Sequence, residues 1–312
     1  MNSKHIMTTI ACAAAFCGSV RAETEAKETE DQGLNWAMGE GVTFGETSIV
    51  SAEVGLAFDS KFMSYGLVDN NDPILTPSAA LTFFDWVTFS VESIFDTSRY
   101  GERAGAEYGN RAFKYQELDP GVAIGHAFGP DDAAWLPTTI EFELGYMYEA
   151  HPKIVDDDTQ FVTFSIGLPD LWFEPTFSYE RDIDRDDGTY LNLEIGHSIT
   201  IVGGAEEGDD DILGIRFSLA QGWGDQRRVI AYLPDVGNDE AEGLGRASLM
   251  DTCIKGELTW NITDGVSLGA YIAYYDYLFD SHARNSAKAY EATGSYTDSY
   301  NFVTGVSLAI AF

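Results

Sequence analysis

Residues 298–312 read DSYNFVTGVSLAIAF, an alternation that runs to the final residue. Tyr300, Phe302, Thr304, Val306, Leu308, Ile310 and Phe312 fall on one side of a period-two pattern. Asn301, Val303, Gly305, Ser307, Ala309 and Ala311 fall on the other. One face is large and apolar, the other small or weakly polar. A sandwich strand in water buries its large face. A strand in a membrane barrel turns that face to lipid and the small face to the lumen. An unprotected terminal Phe suits the second arrangement.

The same alternation recurs upstream. Twelve strands are predicted: 48–65, 74–84, 86–98, 113–128, 138–149, 160–168, 171–181, 190–201, 212–223, 248–262, 266–279 and the terminal stretch. In the fifth, Ile140, Phe142, Leu144, Tyr146 and Tyr148 oppose Glu141, Glu143, Gly145, Met147 and Glu149. Asp119-Pro120 predicts a bulge or kink in the fourth. No useful helical period follows residue 22, so the expected fold is all-β. Many of these strands reach the roughly nine to eleven residues that a membrane strand needs. Soluble strands are commonly about five or six residues long.

The connections test this independently. Membrane barrels have an even strand number, short turns at the end that holds both termini, and long loops at the other. The odd connections are expected at 66–73, 99–112, 150–159, 182–189, 224–247 and 280–297. The even ones are expected at Asp85, 129–137, Pro169-Asp170, 202–211 and Thr263-Asp264-Gly265. The two longest loops fall on the predicted outer side. The expectation is a closed antiparallel transmembrane β-barrel over residues 48–312.

The first residues, MNSKHIMTTIACAAAFCGSVRA, have a basic start, an apolar stretch and a small-residue cleavage site near Ala22. They predict a secretory signal peptide. Residues 23–47 are expected to be an acidic, flexible periplasmic segment. Cys12 and Cys17 lie in the leader, which leaves Cys253 without a partner for a disulfide. The chain carries 51 acidic and 18 basic residues, a formal net charge of −33, which argues against nucleic-acid binding. Hydrophobic residues make up 45% of the chain, so the acidity does not mean disorder. No apolar run beyond the leader is long enough for a membrane helix, and only a closed barrel could then satisfy a membrane-embedded backbone.

Residues 58–67, FDSKFMSYGL, followed by Pro73-Ile74-Leu75-Thr76-Pro77, resemble the first-strand exit and second-strand opening of the TorF-type porins of Gram-negative outer membranes. Tyr65 stands where that pattern usually has Arg. The terminal Phe312 is similar to theirs. The C-terminal strand also resembles the assembly signal of bacterial outer-membrane proteins, carried here by Tyr300, Phe302, Leu308, Ile310 and Phe312. The resemblance implies an outer-membrane porin, with membrane lipid and the barrel-assembly machinery as partners. Oligomeric state is left open.

The lumen side of the alternation carries Glu53, Glu92, Glu141, Glu143, Glu174, Glu194, Arg216, Lys255 and Glu257. A charge facing lipid at mid-depth costs about 2–4 kcal/mol, so their register is itself informative. Two readings are open. Either the charges line a water-filled pore that favours cations, or Arg216 and Lys255 cross-link the glutamates in a plugged, structural or adhesive barrel. The narrow channel is the reading adopted, passing small hydrophilic solutes by diffusion. No catalytic group is assigned. A barrel phospholipase would need a lipid-facing His, and His126 and His197 take such positions, but Ser198 points the other way. The segment from Asp182 to Glu194 misses calcium-loop spacing by one residue, and Asp187-Gly188 reads as a hairpin turn. No resident cofactor or metal is expected beyond weak calcium binding at acidic loops such as Asp156-Asp157-Asp158 and Asp209-Asp210-Asp211.

Overall fold

The computed structural model describes residues 42–44, 47–97, 114–130, 132–133, 135–151, 158–204, 211–233, 246–281, 283–285 and 300–312. Its strands are β1 (Val42–Phe44), β2 (Thr47–Asp59), β3 (Phe62–Ser64), β4 (Leu67–Asn70), β5 (Ile74–Phe83), β6 (Val87–Asp96), β7 (Lys114–Phe128) and β8 (Ile140–Glu149). They continue with β9 (Thr159–Gly167), β10 (Thr176–Asp182), β11 (Thr189–Val202), β12 (Leu213–Gly224), β13 (Ser248–Thr263), β14 (Val266–Asp276) and β15 (Tyr300–Ala311). Helix α1 spans Gln226–Tyr232.

Twelve strands, β2 and β5 through β15, pair antiparallel with their sequence neighbours. The circle closes where β15 meets β2, with Gly305 opposite Asp59 and Leu308 opposite Leu56. On its other side β2 pairs with β5, so among the described residues every wall strand has a partner strand on both sides. The terminal residue takes part in the closure: Phe312 N–H donates to Ala52 O at 2.8 Å, and Ala52 N–H donates back at 3.2 Å. Val42–Phe44, inside the segment expected to be a flexible lead, instead forms β1 against the start of β2. The leader and residues 23–41 lie outside the described residues.

The large residues point outward. Leu56, Phe89, Leu144, Leu193, Phe217, Ile272 and Val306 are exposed all around the wall. An apolar belt this continuous is unstable against water and stable against hydrocarbon. Two stacked sheets would have buried these same residues between them. The barrel is membrane-spanning.

Several expected elements are corrected. The strand expected at 48–65 ends at Asp59, and residues 62–70 form a separate hairpin, β3–β4, that leaves the wall. The strand expected at 171–181 begins only at Thr176. Residues 168–175 make successive turns, with Leu171 N–H on Leu168 O and Glu174 N–H on Leu171 O. The connection expected as a tight Pro169-Asp170 turn is therefore longer. Helix α1 was not expected at all. Asp119-Pro120 does break a ladder, on the β8 side only: regular pairing stops at Gly121–Met147 and resumes as one bridge, Leu118–Ala150. Proline has no N–H to donate at that step. The bulge against β6 falls nearby, at Ile94/Phe95.

The buried apolar clusters lie inside the barrel at its long-loop end. Met63 and Val68 of the hairpin pack on Ala273, Tyr275 and Val303 of the inner wall. Phe62 packs on Ile74 and Ile94. Tyr65 and Leu67 pack with Val229, Leu233, Met250, Tyr277 and Ala283.

Candidate functional site

The inner wall is the candidate site. Alternation places Glu53 on β2, Glu92 on β6, Glu141 and Glu143 on β8, Glu194 on β11, Arg216 on β12, and Lys255 and Glu257 on β13 on its lumen face. Cross-strand register links them: Glu141 lies level with Gly167, Thr176, Glu194, Ala220 and Cys253. Glu174 is not on a strand. It sits in the 168–175 turn with a positive φ of 38°. Because β10 is short, the edge of β11 beyond Glu194 lacks a partner strand, and this turn supplies one: Gly196 N–H donates to Phe173 O and Ser198 N–H to Glu174 Oε1, both at 2.9 Å.

Two ion-pair networks cross the wall. Arg216 donates from Nη1 to Glu194 Oε1 at 2.7 Å and from Nε to Glu174 Oε2 at 3.2 Å. Lys255 Nζ lies 2.6 Å from Glu257 Oε2 and 4.8 Å from the centre of the Tyr271 ring. The Tyr271 hydroxyl donates to Asp59 Oδ1 at 2.6 Å. The ring crosses Gly305, where a Cβ would stand 2.0 Å from Asp59 Oδ1.

The long-loop mouth is bridged. Hairpin β3–β4 turns at Tyr65-Gly66, both with positive φ (49° and 81°). Such a two-residue turn favours Asn, Asp or Gly at its first position, so a tyrosine here is strained and must be held. The Tyr65 hydroxyl hydrogen-bonds Glu180 on β10, and its backbone carbonyl accepts from the Tyr277 hydroxyl at 2.9 Å. Tyr190 and Tyr232 pack their ring edges against the Tyr65 ring at 4.9 and 4.4 Å.

Arg228 of α1 completes the bridge. It is fully buried, and its Nη1 donates to the Tyr65 hydroxyl at 2.9 Å. Nη2 and Nε lie 3.2 Å from Glu180 and 3.5 Å from Asp186, close as ion pairs but off hydrogen-bond geometry. Burial works against its charge, but Tyr65, Glu180, Tyr232 and Asp186 around it push its pKa further up, so it remains a cation. Asp225 caps the helix, accepting from Arg228 N–H at 2.9 Å.

A third cluster joins the ends of β7 and β8. His151 Nε2 lies 3.2 Å from Glu149 Oε1 and 3.5 Å from Glu117 Oε2. Burial alone lowers the imidazole's pKa. The hydrogen bonds to Glu117 and Glu149 and the charges of those carboxylates outweigh it and push the pKa up to about 10. Glu149 and His151 share strand parity, and that spacing is the sequence signal for the pair. The predicted strand stops at Glu149, two residues short of the histidine.

The remaining sequence candidates have plain surroundings. His126 stacks on Trp86 at 4.1 Å, and His197 Nδ1 lies 2.8 Å from Trp172 O, both in an aromatic girdle at the termini end. Asp182 Oδ1 accepts from Asp184 and Arg185 N–H groups, and Asp187 pairs with Arg227 at 2.6 Å. The loop that misses calcium spacing is thus tied down by its own backbone and by α1. Asp158 accepts from His151 N–H, while Asp156, Asp157, Asp209 and Asp210 lie outside the described residues. Cys253 is a free thiol on the inner face.

A closed wall with a greasy exterior and a charged interior defines a transmembrane β-barrel protein. No family model matches the chain, and no curated protein does. Among solved structures it is similar to the COG4313 outer membrane channel from Pseudomonas putida F1, at 10% identity and a TM-score of 0.44, covering 91% of this chain and 100% of that one. It is also similar to OccAB3 of Acinetobacter baumannii, at 10% identity and a TM-score of 0.36, covering 86% and 66%. A third is Salmonella typhi OmpF in complex with daunomycin, at 9% identity and a TM-score of 0.34, covering 84% and 97%.

Proposed function

We propose that this protein is an outer-membrane channel for small hydrophilic solutes, favouring cationic or neutral ones, with a mouth narrowed by the Tyr65 hairpin and α1. The inner wall carries the proposal: Glu53, Glu92, Glu141 and Glu143 join two ion-pair networks in a barrel wider than the eight-stranded kind that side chains fill. No chemistry is involved. A wet lumen spares a solute the cost of entering hydrocarbon, and the excess of carboxylates biases the charge of what passes.

The apolar belt and the secretory leader support an outer-membrane location. Likeness to the TorF type rests on residues that form the end of β2, the hairpin and the start of β5. The lipid-side residues Tyr300, Phe302, Leu308, Ile310 and Phe312 are the proposed signal to the assembly machinery. Weak calcium binding at the acidic loops belongs to the same proposal.

Conductance of the refolded protein in planar bilayers under a KCl gradient tests the channel. A cation-selective current supports it, and an anion-selective current overturns the charge argument. The rival is a sealed structural barrel, favoured by the Tyr65–Glu180 contact across the bore. Silence from both the wild type and a variant lacking residues 61–72 decides for that rival.

A further inference from the structure

The cluster of Glu117, Glu149 and His151 shares no residue with the two ion-pair networks or with the Tyr65 bridge. Its three donor atoms lie within 4.8 Å of one another. Two of the separations, 3.2 and 3.5 Å, match about 3.4 Å, the distance between donors held at about 2.1 Å around a tetrahedral centre. The third, between the two carboxylates, is no longer than 4.8 Å.

A second observation points to a missing occupant. Asp119 stands on the same inner face, two residues along β7 from Glu117, and the two side chains share a hydrogen bond. Asp119 is 8% exposed, yet its Oδ1 is buried without a hydrogen-bond partner. A carboxylate oxygen buried in this way is costly until something pairs with it. The cluster also lies where the β7–β8 ladder breaks at Asp119-Pro120, so these side chains are freer to adjust than in a continuous ladder.

We propose that Glu117, Glu149 and His151, with Asp119 as fourth ligand, bind one divalent transition-metal ion of the zinc class. An imidazole among carboxylates selects zinc-like ions over calcium, which takes six to eight oxygen ligands. The ion takes the place of the proton between His151 and its two glutamates. It ties the start of β7 to the residues just after β8, where proline has removed a ladder bond. The proposal is independent of conduction.

The test uses the mature, untagged chain refolded in detergent, with zinc chloride alone and calcium chloride alone as probes. Equilibrium dialysis is expected to find one zinc per chain. His151→Gln and Glu149→Gln are each expected to weaken binding by about tenfold or more, and Asp119→Asn to weaken it less. Heat-modifiable gel mobility shows whether each variant is folded. Cobalt substitution in the wild type is expected to give the visible bands of a four-coordinate ion, a readout that survives a failure of every variant to fold. No zinc uptake, uptake unchanged in folded His151→Gln, calcium bound more tightly than zinc, or a six-coordinate cobalt spectrum overturns the proposal.

Discussion

The hydroxyl of Tyr65, carried on a hairpin from the first wall strand, hydrogen-bonds the carboxylate of Glu180 on the seventh. In a circle of twelve strands taken in sequence order, the first and seventh are diametrically opposed. The chain therefore crosses its own bore. Arg228 reaches the same hydroxyl from α1, so two outer loops meet at one phenol.

Removing the cation should open this bridge. Arg228→Ala leaves Glu180 and Asp186 without their shared partner, and breaking a buried pair on one side costs about 3–5 kcal/mol. That cost falls on the hairpin and α1, since the wall ladders contain no part of Arg228. Single-channel recording is expected to show a larger or more frequently open conductance than wild type, with an unchanged thermal midpoint for the strands by circular dichroism. Arg228→Lys should behave like the alanine variant, because one ammonium cannot span three acceptors.

The inner wall offers a steric counterpart. A Cβ at residue 305 would stand 2.3 Å from Tyr271 Cε1, so Gly305→Ala must push the ring away and part it from Asp59. Overpacking of this kind costs about 1–3 kcal/mol, and the urea midpoint is expected to fall. Pairing of β15 with β14 and β2 should survive, so amide-I infrared spectra should be unchanged.

Acid should loosen the bridge through Asp225. Burial tends to raise this carboxyl, but backbone hydrogen bonds from Arg228 and Thr189, the Thr189 hydroxyl and the charge of Arg181 on β10 together hold it below the ordinary carboxylate range. A depressed folded pKa gives stability that is present above the unfolded value, about 3.9, and lost as pH falls through the folded one. A step in conductance is expected below about pH 4. Asp225→Asn keeps a capping oxygen without a titrating charge and should remove that step. Asp225→Ala should weaken the helix by about 1 kcal/mol at neutral pH.

The wall was legible because its signal is local. A residue's face follows from its parity, and parity shows in a single sequence at Ile140 to Glu149 as clearly as in the structure. The hairpin was hidden by that same signal. Phe58, Ser60, Phe62 and Ser64 continue the period of β2, and a tyrosine at positive φ is not a residue from which a turn is read. What holds Tyr65 there comes from Glu180 and Arg228, 115 and 163 residues away. Helix α1 has seven residues, fewer than two turns, so no periodicity could announce it. The basic pair Arg227-Arg228 in so acidic a chain was its only trace. Alternation runs on through Pro175 and puts Glu174 on a strand, but the chain is turning there.

Arg216 gives the sharpest test of the charge argument. Its guanidinium lies over Gly196, where a Cβ would stand 2.5 Å from Nη2, and it pairs with Glu174 and Glu194 together. Arg216→Gln takes the shared cation from both carboxylates and should shift the reversal potential in a KCl gradient further toward potassium. Loss of its charged hydrogen bonds should lower stability by about 1–3 kcal/mol. Gly196→Ala displaces the same guanidinium without changing any charge, so it should match the stability loss and leave selectivity nearer to wild type. Glu194→Gln should move the reversal potential the other way. If all three variants keep the wild-type selectivity while conducting, the carboxylates of this wall do not select what passes, whatever else they hold together.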